Sequence, residues 1–226
     1  IYYSVCVWGK DYIDIFNGVL IPSLLQKNNI PKLKKFGCYQ KIFIFTKDNE
    51  IPLTKKNELK LKKYLNIEII KNEKLSIINE PKVFLKNSLI TFIKKSIENN
   101  AYSLVLTPDH VYGNKSIFNL FMSVYGTNYG VACIGARINW KRSYKIFLKI
   151  FNEKKLLENQ MLVNITFNNL HQSMKDCINI KSNHLGTQII PVDKKTFLVS
   201  QSRVNVCIVK FRNSDLKFFE SIHDYN

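Results

Sequence analysis

Over the first 134 residues, short β-branched apolar runs alternate with longer helical stretches, and this alternation limits the fold most. The runs at 2–7, 41–46, 67–70, 103–106 and 130–134 are too short for helices. Most are apolar throughout, as strands buried on both faces are. Between them, Tyr12, Ile15, Phe16, Val19 and Leu20 keep helical spacing, with Asp11 placed to cap. Pro22 kinks that helix or restarts it at Ile21. A Lys-rich helix is expected over 54–64 on Leu59 and Leu61, and a stronger one over 82–99 on Leu85, Leu89, Phe92, Ile93 and Ile97. Another is expected over 116–125. Strand–helix–strand order of this kind predicts an α/β fold, a mainly parallel sheet flanked by helices.

The last third is more mixed. Helices are expected over 143–161 and 163–174, then short strands over 184–192, 196–200 and 204–209. No repeat, linker or boundary appears, so one domain over 1–226 is expected. The first residue is Ile1 rather than Met, and the chain reads as a piece of a longer protein.

The formal charge is +17, from 34 basic and 17 acidic residues. Only four of the basic residues are Arg: Arg137, Arg142, Arg203 and Arg212. Groove-reading proteins favour Arg for bidentate contacts, so the composition argues against a nucleic-acid partner. It fits either a solvated basic surface or attraction to an anionic membrane face, a polyanion or a phosphorylated ligand. The stretch Lys27–Lys63, with eleven Lys against Asp48, Glu50 and Glu58, is the expected basic face. Cys6, Cys38, Cys133, Cys177 and Cys207 stand singly without zinc spacing, as reduced thiols of a cytoplasmic protein would. No apolar run is long enough to span a membrane.

Neither Gly-x-Gly-x-x-Gly nor a Walker loop follows the first strand, and Gly-x-Ser-x-Gly is absent. Trp8-Gly9-Lys10 stands there instead. Ligands of open α/β sheets bind beyond the carboxyl ends of the strands. The run Ser103–Leu106 ends in Thr107-Pro108-Asp109-His110, which delivers Asp109 to that crevice. A carboxylate there can hold Mg²⁺ or Mn²⁺, serve as a base, or merely close a turn. Arg137 follows the fifth strand and suits either a diphosphate or a structural ion pair. Trp8 stacks on a base or covers the sheet. His184 is the strongest histidine candidate, ahead of His110 and His171.

Taken in order, several blocks resemble bacterial glycosyltransferase-like proteins of the GT-A type. They are Val7-Trp8-Gly9 with Tyr12 and Phe16, then Ile21-Pro22-Ser23-Leu24-Leu25, Asn29, Pro31 and Leu33. Next come Pro108-Asp109, Ser116-Ile117 and Gly135-Ala136-Arg137. Asn169-Leu170-His171, Ser182-Asn183-His184-Leu185 and Phe219–Tyr225 follow, the last cut off at Asn226. The resemblance implies a single GT-A-like, Rossmann-like domain with a nucleotide-sugar crevice. Its activity would be sugar transfer to a cell-surface polysaccharide, glycan or glycolipid, in the cytoplasm or at the inner membrane face. Trp8, Gly9, Thr46 and Arg137 would hold the nucleotide and diphosphate. Asp109 would serve catalysis and a divalent Mn²⁺ or Mg²⁺, and His184 would add a catalytic polar contact. A non-catalytic GT-A-like binder of nucleotide or glycan is the alternative. The pattern departs from Asp-x-Asp, since Thr107 stands two residues before Asp109, and Asn205 stands where related sequences carry a histidine.

Overall fold

β1 (Tyr2–Cys6) runs parallel to β2 (Lys41–Thr46) on one edge and to β4 (Tyr102–Leu106) on the other. β2 in turn pairs in parallel with β3 (Asn66–Lys71). β8 (Val206–Lys210) adds to β4 antiparallel, and with β5 (Val131–Cys133) the sheet has the order β3-β2-β1-β4-β8-β5. The molecule is therefore α/β with a mostly parallel mixed sheet, as the alternation predicts. The computed structural model describes residues 1–71, 81–128, 130–133, 137–176, 178, 187–191, 197–201 and 206–221.

The chain gathers into two compact units, Ile1–Val131 with Ile208–Asn226, and Ala132–Cys207. In the first, Ile42, Phe43, Ile44 and Phe45 are buried on both faces of β2. Each contributes about 1.5–3 kcal/mol by leaving water. The edge strand β3 carries Glu68, which pairs with Lys41 at 2.6 Å and Lys95 at 3.0 Å. Charge on an edge strand blocks pairing with another chain. At Gly130 a Cβ would lie 3.2 Å from the Ile208 carbonyl oxygen, tighter than an ordinary contact, so a side chain there would require β8 to give by a few tenths of an ångström.

Several helices differ from expectation. The first starts at Lys10, not Tyr12: α1 (Lys10–Ile15) follows Gly9, and Asp11 lies inside its first turn without capping it. A π-helical turn, Phe16–Leu20, leads into α2 (Ile21–Leu24). Pro22 has no N–H and its ring crowds the preceding turn, and the widened turn absorbs both defects. The Ile21 amide bonds instead to the Phe16 carbonyl, five residues back. After α3 (Ile30–Lys35), α4 (Lys55–Lys62) is capped by Thr54 and buries Leu61, whereas Leu59 is exposed. α5 (Pro81–Glu98) buries Phe84, Ser88, Phe92, Ile93 and Ser96, while Leu85 is 46% exposed. Phe84, Ser88, Phe92 and Ser96 recur at four-residue spacing, and this row faces Phe43 and Phe45, which shifts the buried stripe by one residue.

α6 spans Ser116–Met122. In the second unit, the helix expected over 143–161 is two: α7 (Trp140–Asn152) and α8 (Asn159–Asn168). Lys154 takes a left-handed conformation at the break. α9 (Gln172–Lys175) is a separate turn. β6 (Thr187–Pro191) and β7 (Phe197–Gln201) form an antiparallel pair. In the first unit, α10 (Asn213–Ser221) follows β8, and its Glu220 pairs with Lys94 of α5.

Asn29, fully buried, locks the α2–α3 connection to α6. Its amide donates to the Ser23 and Gly113 carbonyls, and its oxygen accepts from the Ile117 amide. Asn29→Ala removes three buried hydrogen bonds and leaves the Ile117 amide without its acceptor, while the Ser23 and Gly113 carbonyls keep the amides of Gln26 and Ser116. It should lower the unfolding free energy by roughly 2–4 kcal/mol, measured by urea titration. Asn29→Asp, which cannot donate to the two carbonyls, should lose at least as much.

Candidate functional site

Parallel pairing sets the carboxyl ends of β1, β2 and β4 on one rim. Three segments leave the sheet there: Val7-Trp8-Gly9, Lys47–Glu50 and Thr107–His110. Trp8, Thr46 and Asp109 thus share a rim of the first unit.

Trp8 is half-buried and meets Phe84 edge-on, with ring centroids 4.8 Å apart. The sheet-covering role expected as one alternative is therefore present. Gly9 has φ +77°, a conformation that favours glycine. Its amide donates to Glu50 Oε1 at 2.8 Å, so the β1–α1 turn already holds an internal carboxylate.

Thr46 is fully buried, and its Oγ1 has no hydrogen-bond partner. Asp48 Oδ1 and Glu50 Oε2, on the turn that follows, are likewise buried without partners. Three polar oxygens, one hydroxyl and two carboxylate, thus stand without partners at one strand end, although such atoms are normally paired. Asp109 is not alone on this rim, because β2 delivers Asp48 and Glu50 as well. An Asp-x-Glu pair just past an apolar strand was the readable signal.

At the end of β4, Thr107 Oγ1 donates to Asp109 Oδ1 at 2.6 Å. The turn closes with the His110 amide donating to the Thr107 carbonyl. His110 Nδ1 lies 3.3 Å from the Thr107 amide and 3.3 Å from the Tyr112 hydroxyl. A backbone amide can only donate, so Nδ1 is the acceptor and the proton sits on Nε2. Burial pulls the His110 imidazole below its ordinary range, and the Asp109 charge opposes that in part. His110 is therefore a neutral donor at Nε2. Among the described residues, no three His, Cys, Asp or Glu side chains gather to hold a metal ion. The Asp109 turn offers one carboxylate and not a coordination set.

Arg137 lies in the second unit and is exposed. Its carbonyl accepts from the His171 amide at 3.0 Å, and Ile138 bridges Leu170. The Arg137 and His171 blocks, distant in sequence, are thus neighbours. His171 Nδ1 accepts from the Ser173 amide and caps α9, which is a structural role. His184 lies outside the described residues, as do Gly135, Ala136, Arg203 and Asn205. Cys6 and Cys38 are free thiols, and burial pushes Cys6 up to about 12, which removes it as a nucleophile at neutral pH. No protein-family model matches the chain, and no curated protein matches its sequence.

The His110 shift makes a signed prediction. The unfolded imidazole takes a proton near pH 6.5, while the folded one resists until lower pH. Below pH 6.5 the unfolded chain binds more protons, so stability falls as pH drops through that window. His110→Gln should remove this part of the slope, read as the difference between wild-type and variant urea midpoints across pH. An identical slope in both would contradict the assignment.

Proposed function

We propose that the chain is a glycosyltransferase that moves a sugar from a nucleotide-sugar to a glycan or glycoconjugate acceptor. The observation that carries this reading is the row of buried polar oxygens at the end of β2: Thr46 Oγ1, Asp48 Oδ1 and Glu50 Oε2. The two carboxylate oxygens call for donors and the Thr46 hydroxyl can donate or accept, and the hydroxyls of a ribose or hexose supply either. An aromatic at Trp8 and a carboxylate at Asp109 share the rim, so base, sugar and reacting hydroxyl each have a matching group.

In the reaction, an acceptor hydroxyl oxygen bonds to the donor's anomeric carbon. The bond from that carbon to the diphosphate oxygen breaks, and the diphosphate leaves with the electron pair. The hydroxyl proton goes to Asp109, whose Oδ1 is steadied by Thr107. His110 donates from Nε2 to an oxygen of the bound ligand. No step runs through a divalent ion, because the residues at this turn do not complete a site for one.

A second reading, a GT-A-like protein that binds nucleotide or glycan without turnover, draws on the Thr107–Asp109 bond. One carboxylate oxygen is already engaged, and no second acid stands beside it in sequence.

Calorimetric titration with UDP, GDP and CMP, and with their sugar conjugates, separates the readings. Thr46→Val should weaken nucleotide-sugar binding by about tenfold, the loss of one well-placed hydrogen bond. Asp109→Asn should leave the unfolding free energy within about 0.5 kcal/mol, because Asn keeps the acceptor for Thr107. It should cut sugar transfer by about a hundredfold or more. Binding that survives in a wild type with no measurable transfer to any glycan acceptor selects the second reading. Absence of any nucleotide or sugar binding rejects both.

A further inference from the structure

The rim opposite Asp109 carries a different chemistry. No acid occurs from Ile15 to Lys47, and none from His110 to Asn152. These two acid-free stretches supply α3 and α6, which meet: Lys32 Nζ lies 3.9 Å from the centre of the Phe118 ring. Phe36, just past α3, makes edge contacts with Phe118 and with Tyr125 beyond α6, at 6.0 and 5.7 Å. The Tyr102 hydroxyl donates to the Thr127 carbonyl, which ties the segment after α6 to the first residue of β4. Tyr39 stands two residues before β2, and it lines an open groove with Tyr125, Tyr2 and Tyr102.

Large apolar side chains exposed singly need no explanation. Here Phe36 is 47%, Tyr39 58% and Tyr125 55% exposed, on one rim and partly in ring contact. Lys34 and Lys35 end α3 beside Phe36, and Lys27 and Lys115 stand just before α3 and α6; all four are exposed, and none pairs with a carboxylate of a described residue. Lysines in the last turn of α3 do favour its helix dipole. That does not account for the aromatic cluster between them, or for the lack of any acid across both helices.

We infer that this amino-end rim docks on an anionic lipid bilayer, its aromatic rings seated at the headgroup boundary and its lysines on lipid phosphates. Aromatic rings with one polar end settle at that depth, and basic residues near an anionic leaflet add attraction that salt screens. The shortage of Arg weighs against a nucleic-acid partner. No described helix is long and apolar enough to cross a membrane, so the contact is peripheral. Docked this way, the first unit turns Asp109 and Thr46 away from the lipid. Under the transferase reading, on which only this consequence rests, the acceptor is then a soluble or extended glycan rather than a headgroup lying in the membrane plane.

The test is co-sedimentation of the full chain with phosphatidylcholine vesicles, with or without phosphatidylglycerol, at low and high salt. Binding is expected only with phosphatidylglycerol and should weaken as salt rises. Lys34→Glu with Lys35→Glu should reduce it about tenfold or more. Phe36→Ser with Tyr39→Ser and Tyr125→Ser should remove the salt-resistant part. Lys47→Glu with Lys56→Glu makes the same charge change on exposed lysines away from the patch and should shift binding by no more than about twofold. Circular dichroism melts identify variants that remain folded. If a patch variant does not fold, quenching of the native tyrosines by brominated lipid in the wild type decides instead. No vesicle binding, equal losses from the two lysine pairs, or binding to single-stranded RNA without binding to vesicles would each overturn the inference. The assay contains no nucleotide, so its failure is distinct from failure of the transferase reading.

Discussion

β1 is hydrogen-bonded on both edges, to β2 and to β4, in parallel. A parallel pair cannot be closed by a tight hairpin, so each connection must travel back along a face of the sheet. That requirement explains why the strands are apolar on both sides and why helices follow each one. It also sends the end of every parallel strand to one rim. The site is a consequence of this pairing: Trp8, Thr46 and Asp109 come from distant parts of the sequence and share a rim because their strands run the same way.

The same connectivity gives the two rims different polar environments. On the carboxyl-end rim the chain leaves the sheet in short turns, and polar groups remain without partners, notably Thr46 Oγ1 and the oxygens of Asp48 and Glu50. On the amino-end rim the connections are tied down. Gln40, just before β2, accepts from the Tyr3 hydroxyl while donating to the Ile30 carbonyl, and Asn29 next to Ile30 ties the same connection to the β4–α6 segment. Satisfied polar networks rigidify a segment, and unsatisfied ones invite a ligand. The π-helical turn at Phe16–Leu20 is a local accommodation, which lets Pro22 sit inside a long helical connection without ending it.

Much of the fold was legible in the sequence because hydrophobic period is a local property. Strands at 41–46 and 103–106 were bounded within a residue or two, and so was the long helix before β4. Errors arose where tertiary packing chose between local alternatives. Leu85 keeps helical spacing but faces solvent, because α5 turns Phe84, Ser88, Phe92 and Ser96 to the sheet, and on α4 it is Leu61 rather than Leu59 that is buried. The break between α7 and α8 depends on a left-handed Lys154, which the amino-acid type does not announce. Of the candidate site, Asp109 was visible because a proline ends its strand. Glu50 was marked only by its Asp-x-Glu spacing after β2, and its bond to the Gly9 amide, across a long stretch of sequence, was not visible.

The sequence by itself determined that this chain builds a buried parallel sheet and carries a strongly positive surface, since both follow from residue types and their spacing. Only the tertiary structure decided which charges remain unopposed and which polar atoms remain unpaired. Glu68, which no local pattern marks, takes up Lys41 and Lys95, while no carboxylate of a described residue pairs with Lys34 or Lys35. Thr46 reads as an ordinary strand end until the folded chain buries it without a partner. Burial and pairing depend on which distant residues arrive at the same place, and that is settled by strand order and direction rather than by any local stretch.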